Sequence, residues 1–221
     1  MKVLLGLPDA DLAEQYREPR TPWWRANMVT TVDGSVAGAD GRSGSINDTA
    51  DHEVFEVLRA WADVIVVGAG TARAEQYGVA DVPLVLVSRR GVVPDQLVDA
   101  PHGLVVMATT VAGARAASET LPVEHVIVCG EDSVDLRVLR EHLLTRGHQR
   151  VLCEGGPSLL TDALDQGVVD ELDATVVPRL VGGEASRMAT GPALDVPLTL
   201  AALLEHDGTL LARWLVQPRN K

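Results

Sequence analysis

Five short apolar runs constrain this chain more than any other feature: VIVVG (64–68), LVLVS (84–88), LVVMA (104–108), VIVCG (126–130) and VLCEG (151–155). Each is strand-length, rich in Val, Ile and Leu, and bounded by small or polar residues. That is the pattern of strands buried on both faces. Helical spacing fills some of the intervals. Val54, Val57, Leu58 and Trp61 fall at i, i+3, i+4 and i+7, and Leu136, Leu139, Leu143 and Leu144 nearly repeat it. Buried strands alternating with helices predict an α/β fold around a mostly parallel sheet. The flanks differ. RANMVTTVDGSVAG (25–38) is long, β-branched and closed by an Asp-Gly turn. In the last third, ELDATVVPRLVGG and LTLAALLEHDGTLLARWLVQ read as extended strands, with a hairpin at Asp207-Gly208. The sheet is therefore expected to be mixed, with antiparallel strands at its C-terminal edge. With no internal repeat or low-complexity linker, 221 residues predict one domain over 1–221. Residues 1–22 read as an irregular lead-in, anchored by Trp23 and Trp24.

A formal charge of −12 argues against nucleic acid as a partner, because phosphate backbones need basic stripes. The only lysines are Lys2 and Lys221, which removes Schiff-base lysines and Walker-type phosphate loops. Cys129 and Cys153 each end an apolar run and read as buried free thiols rather than a disulfide. The opening VLLGL is too short for a signal-peptide core, and no stretch approaches the roughly 20 apolar residues of a membrane span. The expectation is a soluble cytoplasmic protein.

Metal catalysis finds no support in ligand spacing. HEVFE (52–56) begins like a zinc-protease helix but ends in Glu56, there is no C-x-x-C, and the six histidines are dispersed along the chain. GRSGS (41–45) misses the final Gly of a nucleophile elbow. Three strand ends carry more chemistry. In VVGAGT, Gly68 and Gly70 allow backbone to approach a ligand and Thr71 offers a hydroxyl, although Arg73 replaces the third Gly of a dinucleotide fingerprint. In LVLVSRRG, Ser88 and Arg89 cap a buried strand and suit a phosphomonoester. In EGGPSL, Gly155 and Gly156 open the backbone before Pro157, Ser158 and Leu159 start a helix whose free N–H groups suit a pyrophosphate. Each alone is an ordinary turn. Together they predict a phosphorylated nucleotide lying across the C-terminal edge of the sheet. Glu154, a carboxylate ending a buried strand, is costly there unless something uses it.

The blocks MVTTVDGSVAG…GRSGS, LRAWADVIVVGAGTARAEQYG and EGGPSLLTDALDQGVVDELDATVVPRLVGG resemble, in order and spacing, the reductase domain of the bifunctional riboflavin-biosynthesis deaminase–reductases and their stand-alone relatives. The match covers about residues 23–217, and the zinc deaminase half is missing. The resemblance implies a dihydrofolate reductase-like three-layer α/β fold, a homodimer, and NADPH-dependent reduction of a ribosylaminopyrimidine phosphate at ribose C1′. By motif position it implies that Thr30, Thr71, Glu75 and the 156–162 loop line the NADPH site, with Ser88 and Arg89 at its 2′-phosphate. It also puts Asn27, Ser43, Arg59 and Glu154 on the substrate, with Arg59 at the substrate phosphate. Glu154 and Asp33 are the acids expected nearest the reacting sugar, and Asn27 stands where many bacterial members carry Lys. Two other functions fit the residues: reduction of a pterin or dihydrofolate-like ring by the same fold, and a nucleotide-binding module without catalysis.

Overall fold

In the computed structural model, which describes residues 1–218, all five apolar runs are strands. In chain order the elements are β1 (Lys2–Leu5), α1 (Leu12–Gln15), β2 (Trp23–Thr31), α2 (Thr49–Trp61), β3 (Val64–Gly68), α3 (Ala69–Ala74), β4 (Leu84–Val87) and β5 (Val105–Thr109). They continue with α4 (Val111–Ser118), β6 (Val126–Val128), α5 (Leu136–Thr145), β7 (Arg150–Cys153), α6 (Pro157–Asp165), β8 (Glu171–Val177), β9 (Leu198–His206) and β10 (Thr209–Val216). The strands form one sheet in the order β1-β9-β10-β8-β2-β7-β3-β4-β5-β6. From β8 to β6 every neighbouring pair is parallel, whereas β10 meets β8 and β9 antiparallel, as does β1 with β9.

Period-two alternation explains the layers. In β3, Val64 and Val66 join the core beneath α5 and α6, while Ile65 and Val67 join the core on the opposite face. In β7, Val151 and Cys153 face α6, and Leu152 packs with Val54 and Leu58 of α2. Strands with two apolar faces must be covered on both sides, so the helices divide between them. The β9–β10 hairpin turns where expected: Asp207 and Gly208 both have positive φ (50° and 88°), the requirement of a tight two-residue hairpin turn. Cys129 and Cys153 are free and buried.

The N-terminal segment corrects the sequence reading. Residues 1–22 are not an irregular lead-in throughout, because β1 adds to the sheet in register Lys2↔Glu205 and Val3↔Leu204. The exposed backbone edge of β9 supplies hydrogen-bonding partners that four residues cannot provide for themselves. Helix α1 follows, capped by Asp11, whose carboxylate accepts from Glu14 N at 2.8 Å. Trp23 and Trp24 are buried at the junction with β2, as expected. Among the described residues no helix is long and apolar enough to cross a membrane.

Candidate active site

The chain leaving β7 keeps pairing with the neighbouring strand for two residues. Glu154 N donates to Val66 O at 2.9 Å, and Gly68 N donates to Gly155 O at 2.8 Å. This brings the β3–α3 and β7–α6 turns into contact, and glycine is what permits it. Gly155 has φ +73°, and a Cβ there would lie 2.7 Å from Met28 Sδ. A Cβ on Gly156 would lie 2.4 Å from Thr71 Oγ1. Pro157 then starts α6, where its missing N–H costs nothing.

A trench of about 680 Å³ runs over these turns. It gathers Gly68, Gly70 and Thr71 after β3, Ser88 and Arg89 after β4, and Gly156, Pro157, Ser158 and Leu159 at the start of α6. The three strand ends singled out in the sequence thus meet in one place. A Cβ on Gly70 would meet nothing within 4 Å, so the trench floor is open there. Glycine backbone, the Thr71, Ser88 and Ser158 hydroxyls and an exposed Arg89 make a donor set that fits the phosphates of a dinucleotide.

A second cavity, about 700 Å³, adjoins the trench through Thr71, Gly156 and Pro157. Its wall includes Asn27, Ser43, Asn47, Asp51 and Glu154. Asn27 Oδ1, Asn47 Oδ1 and Asp51 Oδ1 are all buried and have no hydrogen-bond partner. Three orphaned acceptors in one cavity await donors, because a buried acceptor left unpaired costs about 1–3 kcal/mol. Burial also raises the Asp51 carboxyl above the usual aspartate range, with the nearby Asp48 charge adding to the effect. Sequence reasoning missed Asp51 and Asn47. The only signal for Asp51 was Asp-x-x-Asp opening a helix, which reads as capping, and Asp48 does cap α2 by accepting from Asp51 N at 3.0 Å.

Glu154 stands in this cavity, but not alone. Arg59, two turns into α2 from its buried start, forks onto it with Nε–Oε1 2.7 Å and Nη2–Oε2 2.8 Å. The guanidinium also lies 4.2 Å from the Phe55 ring centroid. Burial and the adjacent Glu154 charge push the Tyr77 phenol well above its ordinary range. Arg59, read from the sequence as a seat for the substrate phosphate, here turns its Nε and Nη2 to Glu154. The same fork resolves why a carboxylate can end a buried strand.

Three other residues singled out in the sequence make local contacts. Asp33 lies outside the cavity wall. Its exposed carboxylate accepts from Gly182 N at 2.7 Å, from Val181 N at 3.3 Å and from the Thr31 hydroxyl. The Thr31 and Gly182 hydrogen bonds hold it below the usual aspartate range, which suits a loop tether and not a proton donor. Glu75 lines the cavity rather than the trench, where its Oε1 accepts from Ser43 N at 2.8 Å and braces the 38–47 loop. The Thr30 hydroxyl donates to Ser35 O at 3.1 Å, and Thr30 borders a side recess that joins the trench only through Gly191 and Pro192. Short polar side chains beside a turn readily bond to nearby backbone in this way.

Comparison with known proteins bears directly on this pair of clefts. The chain is 33% identical over 193 residues to the 2,5-diamino-6-ribosylamino-4(3H)-pyrimidinone 5′-phosphate reductase of Methanothermobacter thermautotrophicus, covering 79% of this chain and 86% of that one. The crystal structure of a pyrimidine reductase-like protein from Corynebacterium diphtheriae superimposes with TM-score 0.76 at 26% identity, over 90% of this chain and 93% of the other. A dihydrofolate reductase from Enterococcus faecalis, complexed with NADP(H), shares the fold at 12% identity and TM-score 0.52, over 89% and 98% of the two chains. The model of the RibD C-terminal domain matches residues 22–210, and this chain belongs to that family.

Proposed function

We propose that the protein is an NADPH-dependent reductase of 2,5-diamino-6-ribosylamino-4(3H)-pyrimidinone 5′-phosphate, the substrate named for its relative, acting in riboflavin biosynthesis. The observation that carries this reading is the trio of orphaned acceptors on Asn27, Asn47 and Asp51 in a cavity that opens onto a glycine-lined trench. Such a wall calls for a ligand rich in N–H groups. An aminopyrimidinone presents ring and exocyclic N–H donors along one edge, and Asp51 is the natural partner for a side-by-side pair of them. The uracil analogue carries a carbonyl where this substrate has its 2-amino group. It would leave Asp51 without that donor, and the site should reject it.

The residues divide the work by cleft. Gly68, Gly70, Thr71, Gly156 and Ser158 would hold the dinucleotide phosphates, with Ser88 and Arg89 at the 2′-phosphate. When bound, NADPH supplies hydride to ribose C1′ of the opened sugar. Asn27, Asn47 and Asp51 orient the pyrimidine ring at the far side of the cavity. Glu154, pinned by Arg59 where cavity and trench adjoin, offers its remaining acceptor positions to the sugar hydroxyls. Asp33 acts at one remove, by holding Val181 and Gly182 in the cavity wall. The reading includes a homodimer of single-domain chains in the cytoplasm. The family resemblance supports the dimer, and the two free cysteines suit a reducing compartment.

The test is oxidation of NADPH by purified protein, followed with three substrates in parallel. Turnover of the diaminopyrimidinone phosphate well above that of the uracil analogue is expected. A pterin presents the same 2-amino-4-oxo edge to Asp51, so turnover of a dihydropterin in preference to both pyrimidines would replace this reading with the pterin one. Tight NADPH binding without turnover of any substrate would favour a nucleotide-binding module.

A further inference from the structure

At the end of the sheet opposite both clefts, two turns that enter adjacent parallel strands meet. His102 lies in the turn before β5, and Glu124 and His125 lie in the 3₁₀ turn Val123–His125 before β6. The two imidazole rings have centroids 4.4 Å apart and planes tilted by 59°. His102 Nε2 lies 3.5 Å from Glu124 Oε1. One ring nitrogen from each histidine and one carboxylate oxygen all fall within 4.8 Å of one another. The sequence separates these residues by more than twenty positions, so the histidines looked dispersed until the sheet placed β5 beside β6.

An ordinary ion pair accounts for His102 against Glu124, but not for the second imidazole. Two imidazoles and a carboxylate are the mixed N/O donor set that borderline divalent ions take, and the fourth position of a tetrahedral site can be filled by water. Arg146 reaches the same turn, but its Nη2 donates to the backbone carbonyl of Glu124 at 3.0 Å and not to the carboxylate. We propose that His102, Glu124 and His125 form a binding site for a divalent transition-metal ion of the zinc type, remote from the active site. Metal–ligand bonds near 2.0–2.1 Å would bring the donor atoms to about 3.4 Å apart, so they must draw in by roughly 1 Å. The His102 and Glu124 side chains are 73% and 60% exposed, so rotating them disturbs little packing. The ion would tie the two turns together. Strand β6 has most to gain, since it is three residues long and lies at the edge of the sheet with β5 as its one neighbour.

The experiment uses the full-length, tag-free chain stripped by chelator and titrated calorimetrically with zinc chloride. One ion per chain is expected, with no binding of Mg²⁺, whose preference is for oxygen ligands. His102→Ala and His125→Gln should each weaken zinc binding at least about tenfold, since even changes outside the first ligand shell often cost that much. Zinc should also slow amide exchange across Val126–Val128 in the native chain and not in the His102→Ala variant. An unchanged metal-free melting temperature for His102→Ala would show that the variant is folded, and its reductase activity should match the native chain. Equal zinc affinity in native and variant chains would overturn the proposal. So would zinc-induced protection confined to other strands, or one ion bridging two chains.

Discussion

One face of β2 and β8 carries a polar stripe whose two ends have been built to opposite rules. Arg25, Asn27 and Val29 lie in register with Glu171, Asp173 and Thr175. At the N-terminal end of the stripe the charges are set against one another as ion pairs away from either cavity, although Arg25 Nη1 and both Asp173 oxygens make no hydrogen bond. Glu171 takes Arg25 Nε at 2.9 Å and both Arg213 Nε and Nη2 at 2.9 and 2.7 Å. Arg25 and Arg213 also donate to the backbone carbonyls of Tyr16 and Gln15. Burial works against Glu171, yet the Arg213 hydrogen bonds and the Arg25 charge hold it below the usual carboxylate range. Burial and the neighbouring Glu171 push Asp173 well above it. The two carboxyls are thus pushed in opposite directions between two guanidiniums. Two residues further along β2, Asn27 Oδ1 has no hydrogen-bond partner, and neither has Asp51 Oδ1 on the wall of the same cavity. Buried polarity alone does not mark a functional site. Polarity that the protein itself leaves unanswered, at the wall of a cavity, does.

The largest test of this contrast is Arg213→Ala. It leaves Glu171 without its forked partner, and breaking a buried pair in this way costs about 3–5 kcal/mol. The urea midpoint should fall accordingly, while KM per folded molecule stays unchanged. A loss of substrate binding with full stability would break the distinction between the two ends.

Asp51→Asn is the mirror experiment. Activity on the diaminopyrimidinone phosphate should fall about a hundredfold, or ~2.7 kcal/mol, with the melting temperature held or raised. The sign follows from linkage. A carboxyl whose folded pKa is raised stabilises the fold below its unfolded pKa and loses that contribution as pH rises through the folded value, so neutral pH carries the penalty. For the same reason kcat/KM of the native enzyme should decline on the acid side from a pH above the usual carboxylate range, as Asp51 takes up its proton. The Asp51→Asn variant should lack that limb, which a pH profile of the two enzymes checks.

Arg89→Ala probes the trench alone. NADPH affinity should fall about tenfold, equivalent to ~1.4 kcal/mol, and NADH affinity should barely change. Equal losses for both would refute the 2′-phosphate role. The smallest effect belongs to Asp33→Ala: a modest rise in substrate KM at constant kcat, from a loosened 181–182 segment. A collapse of kcat would restore Asp33 to the reacting centre.

The trench was legible in the sequence because its parts are backbone properties. Glycines, a helix-starting proline and strand-terminal Ser88 and Arg89 sit beside the strands that position them, and parallel strands deliver all their C-terminal ends to one edge. The cavity was legible only in part. Asn27 and Glu154 were found, but the fork of Arg59 on Glu154 was not, because the two lie 95 residues apart. Asp51 was hidden by helix-capping grammar, and the local hydrogen bonds that Asp33 and Thr30 make to nearby backbone were not readable from motif position.

The sequence by itself determined the mixed sheet in outline, β1 apart: which runs are buried on both faces, where the hairpin turns, and which turns are open enough in backbone to seat a phosphate. These follow from local stereochemistry and from hydrophobic periodicity, both of which act over a few residues. Only the tertiary structure decided which charges are silent and which are available. Whether a buried carboxylate is neutralised, shared or left waiting depends on partners brought together by strand order, and no spacing along the chain encodes that distance.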